Sequence, residues 1–209
     1  MEHLNKIMAL LATFPFCQTS AQDVFIVEDN PLVVQLRSNM LFDAMGFPSI
    51  GVEMQTDFGM TWQLDYAGAW WNNTSKDRFY SGYAFRTAFN YYTGAPSQYA
   101  PYRGHHVGIY GTMATYDFAF GNKGYQSPRM EWTFTVGLGY GYTLPLSKKL
   151  SIDFAIGVGY FQTTYNEYIP FEDKYAKTGK DRKCFFGPTD AALSLIWNIN
   201  AKNEKEDTK

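Results

Sequence analysis

From Glu131 to Leu144 the chain alternates without a break. Trp132, Phe134, Val136, Leu138, Tyr140, Tyr142 and Leu144 fall on one side, and Thr133, Thr135, Gly137, Gly139, Gly141 and Thr143 on the other. A period of two belongs to a strand, because a helix would scatter the same set around its axis. One face is apolar throughout and the other is glycine and threonine, as expected of a strand with hydrocarbon outside and a narrow lumen inside. The pattern predicts a strand of an outer-membrane barrel.

The same rhythm predicts eight strands, near Val33 to Asp43, Ser49 to Asp57, Met60 to Trp71, Phe79 to Tyr92, His105 to Phe118, Met130 to Leu144, Leu150 to Tyr165 and Thr189 to Asn200. Each is long enough for a tilted membrane strand of about nine residues. The expected fold is therefore all-β, an eight-stranded antiparallel transmembrane barrel over residues 31–200. An even strand number puts both ends on one side, which for an exported chain is the periplasm. Asp57-Phe58-Gly59 and Pro145 to Lys148 become tight periplasmic turns, and Thr93 to Gly104 a longer one. Asn72 to Arg78, Gly121 to Arg129 and Asn166 to Pro188 become outer loops.

The amino terminus fits this destination. Lys6, the apolar run Ile7 to Phe16 and the small residues Thr19-Ser20-Ala21 have the order of an export signal, which gives a signal peptide over 1–21 and a periplasmic segment over 22–30. The run is too short to span a bilayer, and no later stretch is long and apolar enough to do so as a helix. Cys17 leaves with the signal, since Phe16 stands where a lipobox needs a small residue. Cys184 is then alone, so neither a disulfide framework nor a cysteine metal site is expected. The tail 201–209 is a charged, solvated extension.

Composition adds the aromatic belts of a membrane barrel. Aromatic residues make up 18% of the chain, with 16 Tyr and 17 Phe, more than a soluble sheet requires. Trp62, Tyr66, Trp70, Tyr140, Tyr142 and Trp197 are expected as a girdle on the lipid face. A formal net charge of −2 without a basic run gives no electrostatic basis for nucleic-acid binding.

Charged residues on the polar sides of the strands form a pattern of their own. A hairpin turning near Ala44 to Gly46 sets Arg37 opposite Glu53, a turn at Gly59 sets Glu53 opposite Asp65, and the next loop brings Asp65 to Arg86 within one residue of register. Arg37, Glu53, Asp65 and Arg86 thus form a lumen belt. It faces a wall of Gly137, Gly139, Gly141, Gly157 and Gly159, whose vacant space long charged side chains can fill, with Ser194 and Asn198 alongside. Paired charges of this kind plug and rigidify a narrow barrel, or open an ionic path by exchanging partners.

Other candidates carry less chemistry. The Gly137-x-Gly139-x-Gly141 run lies within one strand and lacks the turn and helix of a dinucleotide site. His105 and His106 are adjacent in a strand and face opposite sides, which prevents them from easily sharing a metal or a nucleophile. Tyr168, Phe171, Tyr175, Lys177, Lys180 and Lys183 in the last outer loop are candidates for contact with lipopolysaccharide phosphates or a partner protein. No catalytic residue, metal or cofactor is expected.

The blocks Leu36 to Ala44 with Gly51-Val52-Glu53, Asp65 to Trp71, Gly104 to Gly111, Tyr116-Asp117-Phe118, Gly121 to Gln126 and Phe186 to Thr189 resemble a family of uncharacterised outer-membrane barrels from Bacteroidetes. It is catalogued by a domain of unknown function, and its members are often encoded near fimbria genes. The resemblance implies a barrel and, through its gene context, an envelope or fimbrial protein partner beside outer-membrane lipid. The function expected is a non-enzymatic structural or interaction role in the envelope. A narrow gated channel is the alternative, and a lipid-processing enzyme the least supported.

Overall fold

The computed structural model describes residues 33–55, 59–73, 78–93, 102–120, 123–128, 131–147, 149–171 and 174–199. The chain divides into two compact units, Met1–Pro31 and Leu32–Lys209, and all of the described residues belong to the second. The expected signal peptide, periplasmic segment and charged tail lie outside them, as do Asp57 and Phe58.

Chain order runs β1 (Val34–Asn39), α1 (Met40–Ala44), β2 (Ser49–Gln55), β3 (Met60–Asn73), β4 (Arg78–Tyr92), β5 (Gly104–Phe120), β6 (Gly124–Gln126), β7 (Thr133–Pro145), β8 (Leu150–Phe171) and β9 (Lys174–Asn198). All strand pairs are antiparallel. Eight of the strands form a ring in the order β1, β2, β3, β4, β5, β7, β8, β9, in which β9 pairs back onto β1. The end where β1 begins and β9 finishes is called here the terminal end, and the opposite one the loop end.

Alternation places the two faces. Along β7 the glycine and threonine side points into the ring, while Val136, Leu138 and Tyr140 point out, with Leu138 69% exposed. The other long strands repeat this: Leu64, Phe85, Ile109, Ile156 and Leu195 are exposed, whereas Gln63, Arg37, Asp153, Ser194 and Asn198 are buried. The ring is therefore polar inside and apolar outside, the reverse of a water-soluble sheet protein. No helix among the described residues is long and apolar enough to cross a membrane.

Three segments depart from expectation. The first strand was expected to continue to Asp43, but β1 stops at Asn39. There the Asn39 carboxamide accepts from the Leu41 amide at 3.1 Å and caps α1, an asparagine favouring this local bond over continuation of the ladder. The second is the expected loop from Gly121 to Arg129, which contains β6. This short strand pairs with Asp117–Ala119 of β5 and Asn166–Tyr168 of β8, and so continues the path of β7 beyond an interruption at Ser127 and Pro128, where proline has no amide to donate.

The third departure is the largest. Asn166 to Pro188 was expected as a loop, yet its described residues belong to β8 and β9, which pair as far as Phe171 and Lys174 and project beyond the ring. Register shifts interrupt this ladder at Gly157/Val158, beside Pro188, and at Glu167/Tyr168, each a bulge that leaves one residue unpaired. Mixed charge and a proline conceal the β9 part of this segment from pattern reading, because 176–186 is exposed at nearly every position and so on both faces.

Candidate functional site: a charge network inside the ring

The four residues of the expected belt do meet, but through different registers. Arg37 is the Cα partner of Gly51 and Glu53 of Gln63, rather than Arg37 of Glu53 and Glu53 of Asp65; Asp65 faces Arg86. α1 lengthens the first connection and slides β1 by two residues, and the β2–β3 register is displaced by two residues as well. A two-residue slip preserves the face on which every side chain lies. Arg37 therefore still reaches Glu53, diagonally, with Nη1 donating to Oε2 at 2.8 Å.

Arg37 is surrounded by polar partners. Nη2 donates to Asp153 Oδ2 at 3.1 Å and to Ser194 Oγ at 3.0 Å, and Nε lies 3.6 Å from Asp65 Oδ1. Glu53 also accepts from Thr61 Oγ1 at 2.5 Å and Tyr92 Oη at 3.2 Å. Asp153 Oδ1 accepts from Thr143 Oγ1 at 2.9 Å and shares a 2.8 Å hydrogen bond with His106 Nε2. Arg37, Glu53 and Asp153 are almost wholly removed from solvent. Charges so placed persist only when each is paired and its remaining lone pairs are satisfied. Gly51 makes the approach feasible: a Cβ there would lie 2.0 Å from Asp65 Oδ1 and 2.9 Å from Arg37 Cγ.

Arg86 sits further toward the loop end in a looser cluster. Its Nε and Nη2 donate to Asp190 Oδ2 at 3.1 and 2.8 Å, and Nη1 to Asp65 Oδ2 at 3.2 Å. Its guanidinium lies 5.3 Å from the centre of the Tyr110 ring, a stacking contact that adds attraction without taking a hydrogen-bond donor. Beside it is a cavity of about 90 Å³ lined in part by Arg37, Asp65, Arg86, Asp190 and Ser194, roomy enough for more than one water by the usual minimum of about 15 Å³.

The glycine wall is filled, though not by the arginines. Tyr110 and His106 from neighbouring β5 lie across it. A Cβ on Gly157 would come within 2.6 Å of Tyr110 Cε1, and one on Gly141 within 2.4 Å of His106 Nε2. Adjacency decides this, since β5 pairs with β7 along Gly104–Ala114 and reaches the glycines before any side chain from across the ring. At the terminal end Tyr102, from the connection after β4, packs at a tilt against Tyr92 with ring centres 5.1 Å apart, and Tyr92 against His106 at 4.8 Å.

Asp153, Asp190, His106 and Tyr92 were outside the expected belt. Asp153 was legible, being the only charge in the alternation Leu150 to Phe154. Asp190 was legible too, since it shares the parity of Ser194 and Asn198 within the expected strand Thr189 to Asn200. Among the described residues no group of three or more His, Cys, Asp or Glu is arranged to hold a metal ion.

The expected girdle residues lie on the outer face. Tyr66, Trp70, Tyr140, Tyr142 and Trp197 are exposed, Trp70 by 80%, and Trp62 is half-buried against Phe89. Polar atoms on this face find one another: Trp62 Nε1 donates to Thr87 Oγ1 at 2.9 Å, His105 Nδ1 and Tyr140 Oη share a 2.6 Å hydrogen bond, and Tyr160 Oη donates to Gln162 Oε1 at 3.1 Å. The loop-contact candidates separate. Tyr168 hydrogen-bonds Gln126, Lys180 pairs with Glu131, Lys183 lies 5.3 Å over the Tyr165 ring, and Lys177 is exposed. The side chains of Phe171 and Tyr175 lie outside the described set.

A family model described as a protein of unknown function, DUF3575, matches residues 7–199, and the chain belongs to this family. No curated protein and no solved structure matches it.

Proposed function

We propose that this protein is an eight-stranded transmembrane barrel of a bacterial outer membrane, with both termini periplasmic and a structural or protein-interaction role in the envelope. The observation that carries the reading is the inverted polarity of the ring. An apolar face on every long strand would cost an exposed protein solubility, whereas hydrocarbon accepts it. The outer face of β7 extends roughly 40 Å at about 3.3 Å per residue, or about 30 Å along the axis at a tilt near 40°, enough to cover a bilayer core. Pairing of Trp62 with Thr87 and of His105 with Tyr140 supports the same reading, since a polar atom facing lipid has no water to bond.

A structural role follows from the interior. Arg37, Glu53, Asp153 and His106 lock one another across the lumen, which favours a plugged, rigid cylinder over a pore. The exposed surface available for recognition is then the projecting β8–β9 hairpin, with Lys177, Lys180 and Lys183 facing lipopolysaccharide phosphates or an envelope or fimbrial partner. The narrow channel is the second reading, favoured by the cavity beside Arg86.

Two measurements test these readings. Unboiled protein from outer-membrane fractions is expected to run as a compact band that shifts on heating, and absence from those fractions after verified expression would remove the membrane assignment. In planar bilayers, conductance near background for the wild type is expected. A conductance that changes with Arg86→Glu would replace the structural role with the channel.

A further inference from the structure

The ring is joined least around β1, which pairs with β2 only from Val34 to Arg37. β3 and β4 pair from Met60 to Asn73, whereas β1 and β9 pair only from Gln35 to Asn39 against Asn198 to Ser194. Toward the loop end, β9 has no described strand partner on that side. There the Asn39 carboxamide, already capping α1, also accepts from the Leu193 amide at 3.4 Å, a single side-chain contact in place of a ladder. α1 occupies the seam as a wedge: Phe42 lines the interior cavity, while Leu41 lines a groove on the outer face.

That groove has a volume of about 470 Å³ and is apolar, with walls from Tyr140, Phe154 and Ile156 and a floor that includes Ala191 and Ala192. Ala192 also lines the interior cavity, so the apolar groove and the polar cavity adjoin across one alanine. The charged groups lining the cavity balance, Arg37 and Arg86 against Asp65 and Asp190, and an added charge there would have no counter-ion of its own. The Asn39 carboxamide and the Thr189 and Ser194 hydroxyls, the latter two already bonded to Tyr110 and Arg37, give the cavity wall neutral polar groups.

We infer that the β1–β9 seam is a lateral binding site for a single-chain amphiphile, whose neutral hydroxyl-bearing head enters the cavity past α1 while its acyl chain lies in the groove over Ala191. The inference rests on the membrane reading for its supply of ligand, and the membrane reading also supplies a reason for it. An open strand edge facing hydrocarbon is costly, and a bound chain together with α1 covers it. The glycerol head of a monoacylglycerol has the required size class and charge.

The test uses full-length protein in phosphatidylcholine nanodiscs doped with a monoacylglycerol carrying a diazirine either in mid-chain or at the glycerol end. Mid-chain label is expected on Leu41 and Ala191 to Leu193, and head label on Asn39 to Phe42 and Thr189 to Ser194. Ala191→Trp, which fills the groove, is expected to lower the yield at these peptides about tenfold, the equivalent of roughly 1.4 kcal/mol. Ile109→Trp, elsewhere on the outer face, leaves it unchanged. Label spread evenly around the outer strands, equal labelling of both variants, or a cross-linked second copy at the groove would overturn the inference. Each variant is first checked for the heat-modifiable band of a folded ring. Because the nanodisc supplies the bilayer, the result stands apart from the fractionation that tests cellular location.

Discussion

Arg37 and Arg86 have the same chemistry, face the same interior and are both held by carboxylates, yet they sit in different physical situations. The Arg37 side chain is 4% exposed and bonded to Glu53, Asp153 and Ser194 across three strands. Arg86 is 15% exposed and shares Asp65 and Asp190, and although both arginines line the cavity, these two carboxylates border it while Glu53 and Asp153 do not. The first is a cross-brace whose loss leaves charges stranded. The second is a wall that water can reach. Position along the lumen, more than residue type, decides whether an ion pair holds the ring together or merely lines it.

The largest effect that sharpens this contrast is expected from Arg37→Met. With Glu53 and Asp153 left buried without their cation, the urea midpoint for folding in micelles should fall by the equivalent of about 3–5 kcal/mol. Arg86→Met should cost less, about 1–3 kcal/mol in the same assay, because cavity water can solvate Asp65 and Asp190. Equal losses for the two would break the comparison. Gly157→Ala tests whether Tyr110 is part of the Arg86 wall. A new Cβ 2.6 Å from Tyr110 Cε1 and 2.8 Å from Asp190 Cβ must push the ring toward the cavity, for about 1–2 kcal/mol.

The smallest effect lies outside the ring, where the Lys180 ammonium hydrogen-bonded to Glu131 holds that carboxyl below its usual range. A depressed folded pKa means that the contact is present above the unfolded value and is lost as pH falls through the folded one. Because the pair is exposed, its loss should leave the urea midpoint unchanged. The readout is local: lowering the pH through the acidic carboxylate range should shift the Lys180 side-chain resonance in spectra of the folded protein, and the Glu131→Gln variant should not show that shift.

Local pattern was a good guide wherever one face of a strand is uniform. The limits of β3, β4, β5, β7 and the terminal part of β8 were visible because Trp62, Leu64 and Tyr66, or Val136, Leu138 and Tyr140, recur at period two against polar neighbours. The facing of Arg37, Glu53, Asp65 and Arg86 followed from the same parity, and a two-residue error in register leaves parity intact. The projecting hairpin was invisible for the complementary reason: with charge on both faces, Lys177 to Lys183 has no contrast from which to read a period.

What the amino-acid sequence determined by itself is therefore the set of strands with contrasting faces and the side of each strand on which its charges lie. Both are properties of neighbours along the chain. Tertiary structure alone decided which charges meet. Asp153 and Asp190 reach the arginines only when β8 and β9 come round to β1, and His106 and Tyr110 take the glycine wall only because β5 lies next to β7. Ring closure brings together residues more than a hundred positions apart, as with Arg37 and Asp153. The α1 insertion and the bulge at Pro188 then set their final registers, through cap and backbone geometry to which a period-two pattern is insensitive.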